Sequence, residues 1–338
     1  MGQSEVSDFL PPRLNTAAGA QRRVGIEIEM AGIEADAIAR CLQAEFGGSI
    51  ERHTRYELSV TGTEFGDFSL ELDSDFFKEL EQDSGGQLSK LIGGSDVVAE
   101  IENISADVVA AAAEQFVPWE IVSPPIAIAQ LEKFAAITGE LRALGAKGTR
   151  HAARFAFGVH LNPELPDLDA GTILRYLQAY VCLYDWIVAR EKIDLSRRLT
   201  PYIKHFKRSY IQQIIDPGYQ PDLATLIDDY LDANPTRNRS LDMLPLFAHL
   251  DEQRVRAVVQ DSRVKGRPTL HYRLPNCDID NPHWTLLTPW YHWLQVEYLA
   301  NDSEQLATIC QAYQQELTRL GSRLDDKWLA QCQSWVES

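Results

Sequence analysis

Two glutamates, Glu27 and Glu29, are two positions apart inside an otherwise apolar run over residues 24–30. In a β-strand alternate side chains point to the same side, so both carboxylates would share one face while apolar side chains fill the other. Glutamate disfavours strands, and two like charges on one short strand repel each other. Open water, basic partners or a hard cation such as Mg²⁺, which takes oxygen ligands, would each offset that cost.

Four more strand-like segments repeat this arrangement, with an apolar face opposite a face of groups that can bind metal or phosphate. The polar faces carry Glu71, Glu120, His160, Asn162, His271 and Arg273. Antiparallel sheets often leave one face in water, which is the alternative reading of each strand taken alone. Solvated faces usually carry Thr, Lys and Arg, however, whereas four carboxylates with an imidazole form an oxygen-rich set. Such a set suits Mg²⁺ or Mn²⁺ better than structural zinc.

The elements that must position these groups alternate between strands and helices in the first half of the chain, and the second half is mostly helical. Strands are predicted at residues 56–61, 65–73, 117–122, 154–162 and 269–274, and helices at 34–46, 105–115, 128–144, 169–192, 223–231, 241–250, 284–299 and 304–320. The polar, Gly- and Ser-rich residues 81–95 indicate a flexible insertion. Irregular connections between strands predict an α+β fold with a mostly antiparallel sheet. The sequence contains neither GxGxxG nor a P-loop motif, so neither a dinucleotide site nor a P-loop site is predicted.

Composition excludes several classes of protein. The 338 residues include 32 Lys and Arg against 49 Asp and Glu, a net charge of -17, so a nucleic-acid or anionic-membrane binder is not expected. No apolar stretch is long enough to span a bilayer, and residues 1–20 lack the layout of a signal peptide, which predicts a cytoplasmic protein. The five cysteines show no CxxC spacing and are predicted to be reduced thiols.

Six segments resemble a known family in its motif order. They are RVGIEIEMAG, GDFSLELDSDF, VPWEIVSPP, LRALGAKGT, FGVHLNPELP and HYRLPNCDIDNPHW. The resemblance is to the amidoligases, a branch of the carboxylate-amine ligases that includes glutamine synthetase and glutamate-cysteine ligase. It implies a glutamine synthetase-like catalytic fold, in which a curved, mostly antiparallel sheet holds ATP and divalent metal on its concave face and helices pack on the other side.

The resemblance also implies a domain layout and a reaction. Residues 1–20 would be an N-terminal extension, 21–302 an amidoligase-like catalytic domain with helical insertions, and 303–338 C-terminal helices on the same domain. These ligases phosphorylate a carboxylate with ATP, and an amine attacks the resulting acyl phosphate to give an amide or isopeptide bond. Small-molecule or peptide acids and amines would be the substrates, and a glutamine amidotransferase-like protein is a possible partner.

Site roles follow from the resemblance position by position. The implied metal ligands are Glu27, Glu29, Glu71, Glu120 and His160. Arg273 would hold the transferring phosphoryl group, with His160 and Glu120 as further catalytic residues. Asn162 would orient substrate or nucleotide, and both Asn162 and His271 would be cofactor-binding residues. His271 stands where the better-known relatives carry Glu, which leaves the number of metals open between two and three.

A basic cluster offers candidate contacts to ATP phosphates or to an acidic substrate. It comprises Arg197, Arg198, Lys204, His205, Lys207 and Arg208, of which we favour Lys204 and Arg208. A solvated helix face is the alternative for this cluster.

Two other functions compete with the ligase. A metal-dependent hydrolase would use the acidic pairs as general acid and base, and it would work without ATP. A ligase-like scaffold without catalysis would act as a binding partner, with His271 as its only support.

Overall fold

The computed structural model describes residues 9–72, 118–149, 157–193, 203–319 and 326–337. Within these ranges nine strands form one sheet, in the order β2-β3-β4-β5-β1-β7-β9-β8, with β6 also paired to β1. The strands are β1 Arg23–Met30, β2 Ser49–Thr54, β3 Glu57–Thr63, β4 Gly66–Leu72, β5 Trp119–Val122, β6 Ile126–Ala127, β7 Val159–Pro163, β8 Leu241–Asp242 and β9 His271–Tyr272. Every described strand pairing is antiparallel, which confirms the α+β class and the mostly antiparallel sheet.

Five predicted helices, those at 34–46, 169–192, 223–231, 284–299 and 304–320, are present with slightly different bounds. The helices of the described ranges are α1 Ala35–Phe46, α2 Leu131–Ala135, α3 Ile137–Ala143, α4 Ala170–Arg190, α5 Arg208–Ile214, α6 Leu223–Ala233, α7 Leu244–Leu250, α8 Glu252–Val258, α9 Leu287–Asn301, α10 Ser303–Arg319 and α11 Asp326–Val336. Of these, α5, α8 and α11 were not predicted. Helix α1 packs against β3, and α4 packs against α9, α10 and α11. None of the helices in the described ranges is long and apolar enough to cross a membrane.

Helix α1 ends where the sequence predicts, at two glycines. Gly47 has φ 76°, and its N–H bonds to the carbonyl of Gln43. Gly48 follows with φ 90°, and a Cβ added there would lie 2.4 Å from the carbonyl oxygen of Thr61. Only glycine meets both conditions easily, so this pair turns the chain tightly into β2.

Several element predictions need correction. Strand β2 was not predicted because its side chains are nearly all exposed, so the sequence SIERHT has no apolar alternation. The helix predicted over 128–144 is divided into a 3-10 turn at Ile128–Gln130 followed by α2 and α3. The helix predicted from residue 241 begins at Leu244, because the two residues at its predicted start form β8.

Some predictions concern residues outside the described ranges. The insertion at 81–95 and the helix at 105–115 lie there, as do Arg197, Arg198 and the first part of the strand predicted at 154–162. The domain boundaries, the curvature of the sheet and its likeness to glutamine synthetase stay predictions.

The two-faced pattern of the strands is confirmed for β1, β4 and β5. Apolar side chains on one face are buried, and the intervening polar ones are partly or fully exposed. Strand β7 differs because all five of its residues are buried, including His160 and Asn162. A solvated face therefore does not describe the middle of the sheet, where polar groups are enclosed and need partners.

A fully buried ion pair joins the start of β1 to α9. Arg22 donates from Nη2 to Glu297 Oε1 at 2.6 Å and from Nη1 to Oε2 at 3.0 Å, and both side chains have no exposure. Tyr176 and Trp293 also donate to this carboxylate, and Arg22 donates further to the carbonyl of Glu164. All these groups are satisfied, which is the condition under which a buried pair is tolerated.

Candidate metal and ligand site

A row of glutamates crosses four strands of the sheet on its polar face. Glu29 of β1 is opposite Glu120 of β5, which is opposite Glu71 of β4, which is opposite Glu57 of β3. Directly opposed like charges destabilise a sheet. The repulsion expected between Glu27 and Glu29 therefore extends along the whole row, and a bound cation would reduce it.

Beside this row, four side chains form a continuous chain of hydrogen bonds. His160 Nδ1 lies 2.8 Å from Glu27 Oε2. Asn162 donates from Nδ2 to Glu27 Oε1 at 2.9 Å, and its Oδ1 lies 2.5 Å from His271 Nδ1. The strand register explains why these side chains lie together. His160 is opposite Glu27, and the next residue of β7, Leu161, is opposite Tyr272, which follows His271.

These partners fix the tautomers of both imidazoles. A carboxylate oxygen and an amide oxygen can only accept, so His160 and His271 each donate from Nδ1. In the neutral rings Nε2 then carries the lone pair. Nε2 of His160 lies 3.5 Å from Glu29 Oε1, on the side of the glutamate row. Metal-binding histidines characteristically have this arrangement, with the second nitrogen held by a carboxylate or carbonyl.

Among the residues that the structure describes, two groups of ligand atoms are compact enough to hold a metal ion, and His160 belongs to both. One group is Glu27, His160 and His271; the other is Glu29, Glu120 and His160, and in each the ligand atoms lie within 4.8 Å of one another. Three carboxylates and two imidazoles fit the donor preference of Mg²⁺ or Mn²⁺, with imidazole favouring the latter. The residues present therefore fit the predicted cation.

The protonation states of the inner pair suit this role. Burial alone would raise the pKa of Glu27, but the charge that His271 carries when protonated and the hydrogen bond from His160 outweigh burial and hold the pKa of Glu27 well below its usual range. Burial lowers the pKa of His271 well below its ordinary value, and the charge of Arg273 adds to the effect. Glu27 is thus ionised and His271 neutral at pH 7, the forms that bind metal.

The metal-capable groups border a basic region formed by β8, β9 and their loops. Arg267 Nη1 lies 3.9 Å from Glu27 Oε1. Arg273 follows β9, and its N–H bonds to the carbonyl of Ser240 at 2.9 Å. Asp242 of β8 is buried opposite His271, and burial raises its pKa to about 6 despite Arg273, Arg237 and Arg267 nearby. Charge thus changes from negative to positive across the face.

The structure brings most of the predicted site residues together. Glu27, Glu29, Glu120, His160, Asn162 and His271 meet as described, and Arg273 acts on His271 through its charge. Glu71 differs because it is exposed, accepts a hydrogen bond from Ser69 at 2.7 Å and belongs to neither metal-capable group. It lies one strand further along the glutamate row, so its role as a ligand stays a prediction.

Lys204 lies beside β8, at one edge of the sheet, and Arg208 lies at the start of helix α5. The carbonyl of Lys204 accepts the N–H of Ser240, just before β8, and its side chain is exposed. Arg208 begins helix α5 and is also exposed. Their contact with a nucleotide stays a prediction.

Sequence reasoning missed four charged residues on or beside this face. They are Glu57, Arg237, Asp242 and Arg267. A carboxylate inside the apolar run around Asp242 resembles the signal that singled out Glu27, and it could have been noticed. The two arginines lie in irregular loops, where no periodicity indicates the direction of a side chain.

Comparison with known proteins supports the family predicted from the motifs. The model of the family described as "Putative amidoligase enzyme" matches residues 20–295. That range includes every residue of the two metal-capable groups. Searches of curated proteins and of solved structures found no match. The family indicates a ligase-type enzyme. With most of its length matched, the chain belongs to the putative amidoligase enzyme family.

Proposed function

We propose that the protein is an ATP-dependent carboxylate-amine ligase that forms an amide or isopeptide bond through an acyl phosphate. The observation that supports this most is the pair of overlapping metal-capable groups that share His160 and border an arginine-rich region. Phosphoryl transfer needs little from a protein beyond positioning and charge neutralisation, which this arrangement offers. The family match supports a ligase and does not favour the hydrolase alternative.

Each part of the face has a role in this proposal. Glu29, Glu120 and His160 would hold one Mg²⁺ or Mn²⁺, and Glu27 with His271 a second. The ions would neutralise the phosphate oxygens of ATP when bound. Asn162 fixes Glu27 and His271 relative to each other through its two hydrogen bonds. Because Glu27 holds Nδ1 of His160 and Asn162 holds Nδ1 of His271, Nε2 of each ring is left for a metal.

The proposed reaction consists of two successive nucleophilic displacements. A carboxylate oxygen of the acid attacks the γ-phosphorus of ATP, and ADP leaves with the electrons of the broken P–O bond. Arg273 would stabilise the charge on the transferring phosphoryl group. The amine then attacks the acyl carbon, phosphate leaves, and the amine nitrogen loses a proton. Small-molecule or peptide acids and amines are the proposed substrates, with a glutamine amidotransferase-like protein as a proposed partner in the cytoplasm.

The test is turnover that depends on both substrates. The full chain, ATP and Mg²⁺ are incubated with pools of acids and amines, and ADP and phosphate are measured separately. We expect both products only when an acid and its amine are present together. Glu120→Gln should reduce the rate at least about a hundredfold, whereas Glu45→Gln, the same change on the exposed surface of α1, should leave it unchanged.

Other outcomes would contradict the proposal in distinct ways. Cleavage of sugar or phosphate esters without ATP would indicate the hydrolase. Failure to bind both ATP and Mg²⁺ in calorimetry would indicate the scaffold. Full turnover by Glu120→Gln would remove the metal site from the mechanism.

A further inference from the structure

Three cysteines from three different helices lie close together. The Sγ atoms of Cys182 in α4 and Cys310 in α10 are 3.8 Å apart, and Cys332 of α11 donates its thiol to the carbonyl oxygen of Cys182, also at 3.8 Å. All three are buried free thiols. Helix α4 packs on the apolar face of the sheet, where the ring of Tyr180 lies 5.8 Å from that of Tyr272. The thiol cluster therefore lies on the other side of the sheet from the metal-capable groups.

The thiol of Cys310 borders a cavity. The cavity has a volume of about 410 Å³ and lies between α4, α10 and the loop over residues 215–221. Leu306, Ala307 and Cys310 line it from α10, because residues three and four apart share one face of a helix. Cys182 has no exposure and is absent from the lining. Within the pair, Cys310 thus faces the cavity and Cys182 lies behind it.

The cavity suits a small polar molecule. Its volume is within the range of small-molecule sites. Arg175, Gln178 and Asp216 contribute polar groups to the wall, and Leu174 contributes apolar surface. The guanidinium of Arg175 is held in place because it donates to the carbonyl of Ala300 and to the hydroxyl of Thr172. One cation and one carboxylate on the same wall favour a ligand without a large net charge.

Burial sets the order in which the thiols can react. The nucleophile in thiol chemistry is the thiolate. Burial, and then the hydrogen bond with Cys310, raises the pKa of Cys182 well above its ordinary value of 9.0. Burial also raises the pKa of Cys332, to about 12. Cys310, which faces the cavity, is therefore the thiol that attacks first, and Cys182 is placed to attack second.

We propose that Cys310 and Cys182 form a redox-active thiol pair whose cavity takes a low-molecular-weight disulfide, R–S–S–R. The thiolate of Cys310 attacks one sulfur, the S–S bond breaks, and the first R–SH leaves with a proton from solvent. Cys182 then loses its proton and attacks Sγ of Cys310, which releases the second R–SH. Two protein thiols are oxidised to one disulfide between α4 and α10, and R–S–S–R is reduced to two R–SH.

The distance between the two sulfurs suits this second step. A disulfide bond is about 2 Å long, so Sγ atoms at 3.8 Å need only a small movement of the side chains to form one. The pair lies away from the proposed metal site, and its reaction does not depend on the proposed ligase function.

The first experiment locates the bond. The reduced full chain, freed of reductant, is incubated with hydroxyethyl disulfide without denaturant, and its peptides are mapped by mass spectrometry. We expect Cys182 joined to Cys310, two molecules of mercaptoethanol released per chain, and recovery of both thiols with dithiothreitol. A bond from either cysteine to Cys332, or no reaction until urea unfolds the chain, would overturn the inference.

Single cysteine variants test the order of the two steps. Cys182→Ala lacks the second thiol, so it should accumulate the mixed disulfide on Cys310. Cys310→Ala should leave Cys182 unmodified. Cys41→Ala, the same change at a buried cysteine of α1, is the matched control and should still form the internal disulfide. Modification of Cys182 in Cys310→Ala at the wild-type rate would contradict the proposed order.

A bulkier cavity wall tests whether the disulfide enters through the cavity. Ala307 is an exposed residue of the wall, so Ala307→Trp fills the cavity without disturbing the core. Oxidation of the pair should then be at least about tenfold slower, because thiol–disulfide exchange depends on access to the attacking sulfur. Ala44→Trp, the same change on the exposed surface of α1, should react at the wild-type rate. Equal rates for Ala307→Trp and wild type would exclude the cavity as the binding site.

Discussion

His160 donates its Nδ1 proton to Glu27 across 2.8 Å, and this bond decides which nitrogen of the imidazole can bind metal. Glu27→Ala should leave Nδ1–H without its acceptor and allow the ring to rotate or change tautomer. We expect the affinity for Mn²⁺ to fall roughly tenfold to a hundredfold, the usual effect of removing such a supporting group.

Electron paramagnetic resonance of free Mn²⁺ during titration would measure this affinity. Glu57→Ala changes the same residue type at the outer end of the glutamate row and should have a much smaller effect. Equal affinities of Glu27→Ala and wild type would show that Glu27 does not support the metal site.

The resemblance to better-known ligases implies a Glu at the position of His271, and the structure gives this difference a measurable consequence. His271→Glu would place a second carboxyl beside Glu27, whose Oε1 is 3.9 Å from His271 Nδ1, and would remove the donor to Asn162. We expect the metal-free variant to lose about 2–4 kcal/mol of unfolding free energy. Mg²⁺ should raise the unfolding free energy of His271→Glu by more than it raises that of wild type.

Urea unfolding with and without Mg²⁺ measures both effects. His271→Gln removes the imidazole without adding charge. Its unfolding free energy should therefore be lower than that of wild type, but Mg²⁺ should not raise it by more than it raises that of wild type. An identical Mg²⁺ response in all three proteins would exclude His271 from the metal site.

Asp242 predicts a pH dependence of stability. Burial raises its pKa to about 6 from the ordinary value of 3.8, so the folded protein binds this proton more tightly than the unfolded chain does. The free energy of unfolding therefore falls as the pH rises from 3.8 to about 6. Above that range the loss is complete and amounts to at most about 3 kcal/mol. Asp242→Asn removes this titration, and its stability relative to wild type should rise by about 1–3 kcal/mol between about pH 4 and pH 7.

Urea unfolding at a series of pH values would follow this difference. Asp232→Asn, the same change at an exposed position on α6, is the matched control. A flat profile for Asp242→Asn would show that the carboxyl titrates normally in the folded protein.

The Arg22–Glu297 pair should be among the most sensitive positions for stability. Glu297→Ala leaves a fully buried guanidinium without its counter-ion, and we expect a loss of about 3–5 kcal/mol. Replacing both residues, as Arg22→Met with Glu297→Leu, should cost clearly less than the sum of the single changes because no charge is then left unpaired. Additive losses in urea unfolding would contradict this coupling.

The sequence predicted β1, β4 and β5 well because each has one buried and one polar face. Alternation in β1, β4 and β5 indicated both the strand and the direction of its carboxylates. Strand β2 lacked that signal because it lies at an exposed edge of the sheet. Local patterns therefore identify a strand only where one of its faces is buried.

The site was predictable in composition and less so in arrangement. The hydrogen-bond chain from His160 to His271 depends on which strands are neighbours, and the order of β1, β7 and β9 cannot be read from local patterns. Arg237 and Arg267 were missed for a related reason, since their loops are placed by the whole fold. Lys204 and Arg208 drew attention through local charge alone, which says little about where a side chain points.

The order of the strands also constrains when the candidate metal ligands come together during folding. The metal-capable groups combine residues of β1, β5, β7 and β9, and of these strands β1 and β9 lie near opposite ends of the family-matched region. Such distant pairings close late and slowly. A nascent chain should therefore form the group of Glu29, Glu120 and His160 once β1, β5 and β7 have paired, and complete the group that contains His271 only when β9 joins β7. Mn²⁺ capture during refolding should then rise in two steps.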